Sequence, residues 1–172
     1  MQLSVKGVAA ADYNLAVMHL RREMPAASDS EAVRLMTRAA EGGFVTAMAG
    51  IAELHELGGA GLKVDLMQSV LWHRRAAEAG SVDSKVALAT AFYLGRGAPK
   101  DVVAASRWYR LAAQAGDVGA MFIVATMYES GDGLDRDLSE ARYWYAAAAR
   151  GGEPGAELKV KELDARLARP AS

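Results

Sequence analysis

Cysteine is absent from all 172 residues. This excludes a disulfide framework, a thiolate metal site and a thiol nucleophile, and it leaves the redox compartment open. An excess of charge is missing too: 20 Lys and Arg stand against 21 Asp and Glu, so no long-range field draws the chain to nucleic acid or to an anionic bilayer. No segment approaches the roughly 20 apolar residues of a membrane-spanning helix. The opening MQLSVKGVAAADYNL has only short apolar runs broken by Lys6, Gly7 and Asp12, unlike a signal peptide. The chain as given is therefore expected to be cytoplasmic, or periplasmic or secreted if it is a mature or trimmed form. Period-two alternation, the mark of half-buried strands, is also lacking.

What is present is repetition. WHRRAAEAG from Trp72 returns as WYRLAAQAG from Trp108 and as WYAAAARGG from Trp144. A small residue opens each unit (Ala11, Ala47, Ser84, Ala120, Ala156), and a polar residue follows within it (Ser28, Asp65, Asp101, Asp137). The spacing from small to polar residue is 17, 18, 17 and 17, and from polar residue to the next unit 19 throughout. One residue inserted within Gly58 to Leu62 accounts for the exception. A period of this length announces stacked helical repeats.

Each landmark has a physical role in a helical hairpin. Ser28, Asp65, Asp101 and Asp137 stand where a side-chain oxygen caps a helix N-terminus, and Glu31 completes a capping box with Ser28. Gly43, Gly80, Gly116 and Gly152 end the same helices after the paired alanines Ala39-Ala40, Ala76-Ala77, Ala112-Ala113 and Ala148-Ala149. Trp72, Trp108 and Trp144 are expected to fill the wider gaps between helices. The first helices carry apolar residues four and five positions after the small residue and a ring at eight, which is one helical face. Glycine loops join the two helices, except in the first unit, where REMPAAS takes that place.

These residues resemble the Sel1-like repeat, a relative of the tetratricopeptide repeat. The unit AMFIVATMYESGDGLDRDLSEARYWYAAAARGG, Ala120 to Gly152, follows the family pattern nearly throughout. The resemblance implies an all-α, right-handed solenoid of helix-turn-helix hairpins. Repeats are expected over 11–46 (degenerate, with Leu35 and Met36 in place of Trp-Tyr), 47–83, 84–119 and 120–153. An N-terminal tail precedes them at 1–10, a capping helix follows at 154–168, and a tail ends the chain at 169–172. In the capping helix Pro154 is placed in the first turn, and Ala156, Val160, Leu163 and Leu167 form an apolar stripe. Cysteine-rich relatives connected with β-lactams depend on a disulfide in each repeat, so that activity is not carried over to a chain without cysteine.

The same geometry implies a concave groove lined by the first helices. Its projected residues are Tyr13, Val17, Leu20 and Arg21; Glu53, Glu56 and Leu57; Val86, Thr90, Tyr93 and Leu94; and Phe122, Thr126 and Glu129. Tyr93 and Phe122 are aromatic anchors of the kind that dominate interfaces, unless they pack between hairpins. The expected role is a non-enzymatic adaptor binding a peptide or protein surface there. The alternatives are an envelope-associated cell-wall or glycan binder or small hydrolase using that groove, and a structural spacer that self-associates weakly through its first repeat.

Other constellations are weaker. His19 and His55 occupy equivalent positions and, with Glu23 or Glu56, offer ligands for a divalent metal, or they replace the core ring residue. The latter is preferred, and no metal or cofactor is expected. His73 is assigned to packing or surface. GGAGLK has the glycine density of a phosphate loop but lacks its ending and follows a helix, so it is read as a turn. Arg74, Arg75, Arg107 and Arg110 are read as a solvated outer face. No catalytic constellation assembles.

Overall fold

The computed structural model describes residues 2–168, so the tail expected at 169–172 lies outside the described residues. Among them the secondary structure is helical: α1(Gln2–Leu20), α2(Asp29–Glu41), α3(Val45–Leu57), α4(Leu66–Glu78), α5(Val82–Leu94), α6(Val102–Gln114), α7(Val118–Ser130), α8(Leu138–Arg150) and α9(Ala156–Leu167). The chain divides into two compact units. One comprises Met1–Ser84 with Arg96–Pro99, the other Lys85–Gly95 with Lys100–Ser172.

The starts of the second helices follow from their caps. Ser28 accepts from the Glu31 amide, Asp65 from Gln68, Asp101 from Ala104, and Asp137 from Ser139 and Glu140. Their ends repeat as closely. The Gly80 N–H reaches the Ala77 carbonyl and the Ser81 N–H that of Ala76, and the same pair of bonds recurs after α2, α6 and α8. This is the Schellman pattern. It explains the paired alanines, whose carbonyls receive the two bonds. Ala39, Ala76, Ala112 and Ala148 are buried as well, so a larger side chain there would meet the neighbouring helix.

The capping box forms only in half. Ser28 Oγ takes the Glu31 amide, but the Glu31 carboxylate turns to Arg34 at 2.6 and 2.8 Å. The Ser28 N–H is satisfied instead by Nδ1 of His19, at 3.1 Å. In the later hairpins the equivalent N–H donates to the backbone carbonyl of His55, Phe92 or Tyr128. The glycine-free first loop follows a different path, and an imidazole nitrogen does the work of that carbonyl.

In the first unit α1 packs on α2, α2 on α3 and α3 on α4. Their core gathers Ala16, Leu35, Met36, Ile51, Ala52 and Trp72. Residues 2–10, expected as a tail, are helical. Ala9 is buried, and its Cβ lies close to where a side chain on Gly42 would stand, so α1 must extend back that far to cover the end of α2. Asp12, also buried, ties the same two helices through a bidentate pair with Arg38.

In the second unit α6 packs on α7, α7 on α8 and α8 on α9. The most buried large residue of each later second helix is the one following tryptophan. Tyr145 is fully buried and Tyr109 nearly so, whereas Trp108 and Trp144 are half-buried. Trp108 and Trp144 thus sit toward the edge of the space they were expected to fill, whereas Trp72 lies in the core of the first unit as expected. The capping helix begins at Ala156, with Gly155 as its N-cap and Pro154 in the preceding turn, one step earlier than expected. Ala156 and Leu163 are buried and Val160 packs on the core, but Leu167 is exposed.

Candidate binding cleft

Helix α7 presents Phe122, Ile123, Thr126, Met127 and Ser130 along one face, at the i, i+1, i+4, i+5, i+8 spacing of an apolar stripe. Together with Tyr93 from the end of α5, Tyr109 from α6 and Asp132 from the loop after α7, this face lines an open cleft of about 680 Å³ within the second unit. Its walls are mostly ring and aliphatic carbon. The volume suits one or two side chains of a guest, in the range of ordinary ligand sites of roughly 300–1,000 Å³.

The hydroxyls of the cleft are held from within. Thr90 Oγ1 donates to the Val86 carbonyl at 2.9 Å, so the Tyr109 hydroxyl, 2.8 Å away, is the donor to Thr90. One repeat later Thr126 donates to the Phe122 carbonyl and meets the Tyr145 hydroxyl at 3.1 Å. Ser130 donates to the Thr126 carbonyl, and the Tyr93 hydroxyl donates to Asp132 Oδ2 at 2.9 Å. That last bond, to a carboxylate, raises the Tyr93 pKa above its ordinary value. Phe122 stands edge-on to Tyr145 with ring centroids 5.0 Å apart.

The structure sorts the expected groove residues differently from the projection. In the second unit, Tyr93, Phe122 and Thr126 line the cleft, while Val86 and Thr90 support it through the bond to Tyr109. Glu129 is not a free groove residue. Tyr145 donates to it at 3.0 Å, Lys159 reaches it at 3.3 Å and Arg166 at 2.6 Å, so it fastens the capping helix. Burial alone would raise its pKa, but the bonds from Tyr145, Lys159 and Arg166 together with the Lys159 charge hold it below the usual value. In the first unit, Tyr13 and Val17 pack against the core, Tyr13 with its ring 5.0 Å from that of Phe44. Arg21 and Glu53 are exposed, and Glu56 pairs with Arg96 at 3.8 Å.

Tyr109, Ile123, Met127, Ser130 and Asp132 were not among the expected groove residues. Tyr109 had a signal: it and Tyr145 each lie 19 residues after a threonine whose hydroxyl they meet. The second repeat breaks that pairing, with Glu53 and His73 at the two positions, 20 residues apart because of the inserted loop residue. His73 is buried and turns Nδ1 to the Ser84 hydroxyl at 3.2 Å, leaving Nε2 without a partner. Of the arginines read as an outer face, Arg75 stacks over Trp72, and Arg107 and Arg110 border a shallow surface recess with Leu111 and Gln114. GGAGLK is a turn between α3 and α4, as expected. Among the described residues no group of three or more His, Asp or Glu is placed to hold a metal ion, and no helix is long and apolar enough to cross a membrane.

Comparison with known proteins agrees with this architecture. The family model of the Sel1 repeat matches residues 9–44, 45–81, 82–117 and 118–153, each match starting two residues before the unit boundary read from the small residues. A protective antigen of uropathogenic Escherichia coli strains displaying an SLR fold superposes with a TM-score of 0.81 at 29% identity, over 91% of this chain and 33% of that one. A Sel1 repeat protein from Oxalobacter formigenes superposes with a TM-score of 0.82 at 26% identity, over 90% of this chain and 63% of that one. The chain thus spans a third of the first protein's length and less than two-thirds of the second's. Cysteine-rich protein B of Helicobacter pylori shares the fold alone, at a TM-score of 0.54 and 17% identity over 72% of this chain and 96% of that one. Curated protein sequences yield no match. Four consecutive matches covering nearly the whole chain, on hairpins capped and closed alike, show that the chain belongs to the Sel1 repeat family and has its all-α solenoid fold.

Proposed function

We propose that the chain is a non-enzymatic interaction module, and that the cleft of its second unit seats a short peptide or helix from another protein. Sel1 repeat proteins generally mediate protein–protein interaction, and the family is generally non-enzymatic. The observation that carries the finer reading is the cleft's chemistry. Tyr93, Phe122 and Ile123 offer apolar surface over the buried Tyr109 and Met127, while the hydroxyls among them are already paired with neighbouring groups. Such a surface binds by removing apolar area from water, at roughly 25 cal/mol per Å², and aromatic residues and methionine are the types enriched at interfaces.

The test compares the protein with a Tyr93→Ala/Ile123→Ala variant in affinity purification from its native cells. These side chains line the cleft, and the variant spares the Phe122–Tyr145 contact. Circular dichroism establishes that both proteins are folded. A partner recovered with the native chain is expected to drop at least tenfold with the variant. Equal recovery with both would remove the cleft from consideration as the binding site.

A further inference from the structure

We infer that the occupant of the cleft in the second unit carries a cationic side chain on an apolar stem, an arginine before a lysine, held by Asp132; this rests on the cleft being a peptide site. Asp132 is the one charged side chain in the lining. Its Oδ2 accepts the Tyr93 hydroxyl, and among the described residues no Lys or Arg makes a salt bridge with it. A carboxylate accepts about four hydrogen bonds, so this one keeps capacity for a guest.

The corresponding place in the first unit shows what is missing. Arg96, between the two loop glycines there, pairs with Glu56 on the helix it faces. In the second unit the residue between the loop glycines is Asp132, and the residue equivalent to Glu56 is Tyr93, so among the described residues the carboxylate there has a phenol partner and no salt-bridged cation. Asp132 also stands just beyond the C-terminus of α7, which ends at Ser130. The partial negative charge of that helix end adds to the carboxylate's own. The cleft's other nearby carboxylate, Glu129, is already satisfied by Lys159 and Arg166.

The walls suit the rest of such a side chain. The aromatic faces of Tyr93 and Phe122 attract cations through their ring quadrupoles, and the carbon walls cover the stem while the head stays at the rim. The Tyr93 ring already draws one ammonium group, Lys100 Nζ lying 5.7 Å from its centroid. A guanidinium is favoured over an ammonium because it is planar, stacks on rings and bonds a carboxylate through two nitrogens at once.

The experiment selects a displayed random heptapeptide library on the intact chain. Fluorescence anisotropy of the recovered peptides is then measured against the native protein, the Tyr93→Ala/Ile123→Ala variant and Asp132→Asn. The asparagine keeps an acceptor for the Tyr93 hydroxyl while removing the charge. The expected result is peptides enriched in arginine or lysine beside apolar residues, bound at least tenfold more weakly by Asp132→Asn. Citrulline in place of arginine should cost a similar factor with the native protein and little more with Asp132→Asn. Peptides that lose binding with the double variant yet lack a cationic residue, or ignore Asp132→Asn, would overturn the cation anchor and leave the peptide site standing. If no recovered peptide responds to the double variant, both readings fail.

Discussion

Gly133→Ala should destabilise the protein far more than Gly61→Ala, although the two glycines hold the same loop position four residues before a helix cap and nearly the same φ, 72° and 77°. Placing alanine at such a φ costs roughly 1–2 kcal/mol, and the stiffer unfolded chain returns about 0.4–1 kcal/mol. Around Gly61 a Cβ meets nothing within 4 Å, so the net cost there is about 1 kcal/mol. At Gly133 the Cβ would stand 2.5 Å from the Val102 carbonyl oxygen and 2.9 Å from its side chain. To relieve that overlap the loop must retreat by the better part of an ångström. The retreat would strain the bond from Ser106 Oγ to the Gly133 carbonyl, now 3.0 Å. Overpacking costs about 1–3 kcal/mol and a lost hydrogen bond about 1 kcal/mol, so the total at Gly133 reaches roughly 3–5 kcal/mol. Gly97, which rests on Leu66 at the start of α4, should behave like Gly133. Only the 58–62 loop carries an extra residue, and Ala60 within it stands at φ 55°. We attribute the open space at Gly61 to that insertion. Urea unfolding followed by circular dichroism measures the difference, with the m-value checking that the cooperative unit is unchanged. Costs within about 0.5 kcal/mol of each other, a difference below what the loop contact would supply, would refute the argument from close approach.

Stability should fall on acidification through His73. Burial lowers the His73 pKa below its ordinary 6.5, with Glu56 offsetting only part. Below that value the unfolded chain takes up a proton that the folded chain resists, so stability is lost as pH falls from 6.5 through the lowered value, at up to about 1.4 kcal/mol per pH unit. Denaturant titrations of His73→Leu should show a shallower slope there than the native chain; equal slopes would exclude His73 as the source. His19→Phe, which installs the residue type found at the equivalent Phe92, should cost about 1–3 kcal/mol by leaving the Ser28 N–H without its acceptor. Hydrogen exchange at the Ser28 amide should accelerate with it, and unchanged exchange would show that the bond contributes nothing.

The sequence was a sufficient guide where each hairpin must solve the same problem. Ser28, Asp65, Asp101 and Asp137 recur because four helix starts need an acceptor, and the alanine pairs recur because four helix ends donate to their carbonyls beside a close neighbour. It failed where repeats differ. The projection that placed Glu129 in a groove treated its helix as if nothing packed beside its end, but α9 brings Lys159 and Arg166 there. Asp132 looked like a loop residue, and only its contact with Tyr93, 39 positions earlier, marks it as part of the cleft. The tail expected at the N-terminus became helix because Ala9 has a place to pack against Gly42, a contact no local pattern announces.

By itself, then, the sequence determined the all-α class, the repeat and the caps, because those depend on short-range spacing and backbone hydrogen bonding, which the same residues satisfy wherever they recur. Tertiary structure alone decided which side chains share the cleft, which carboxylate keeps its charge unpaired and which histidine replaces a carbonyl. These depend on residues far apart in the chain meeting at distances that no periodicity records.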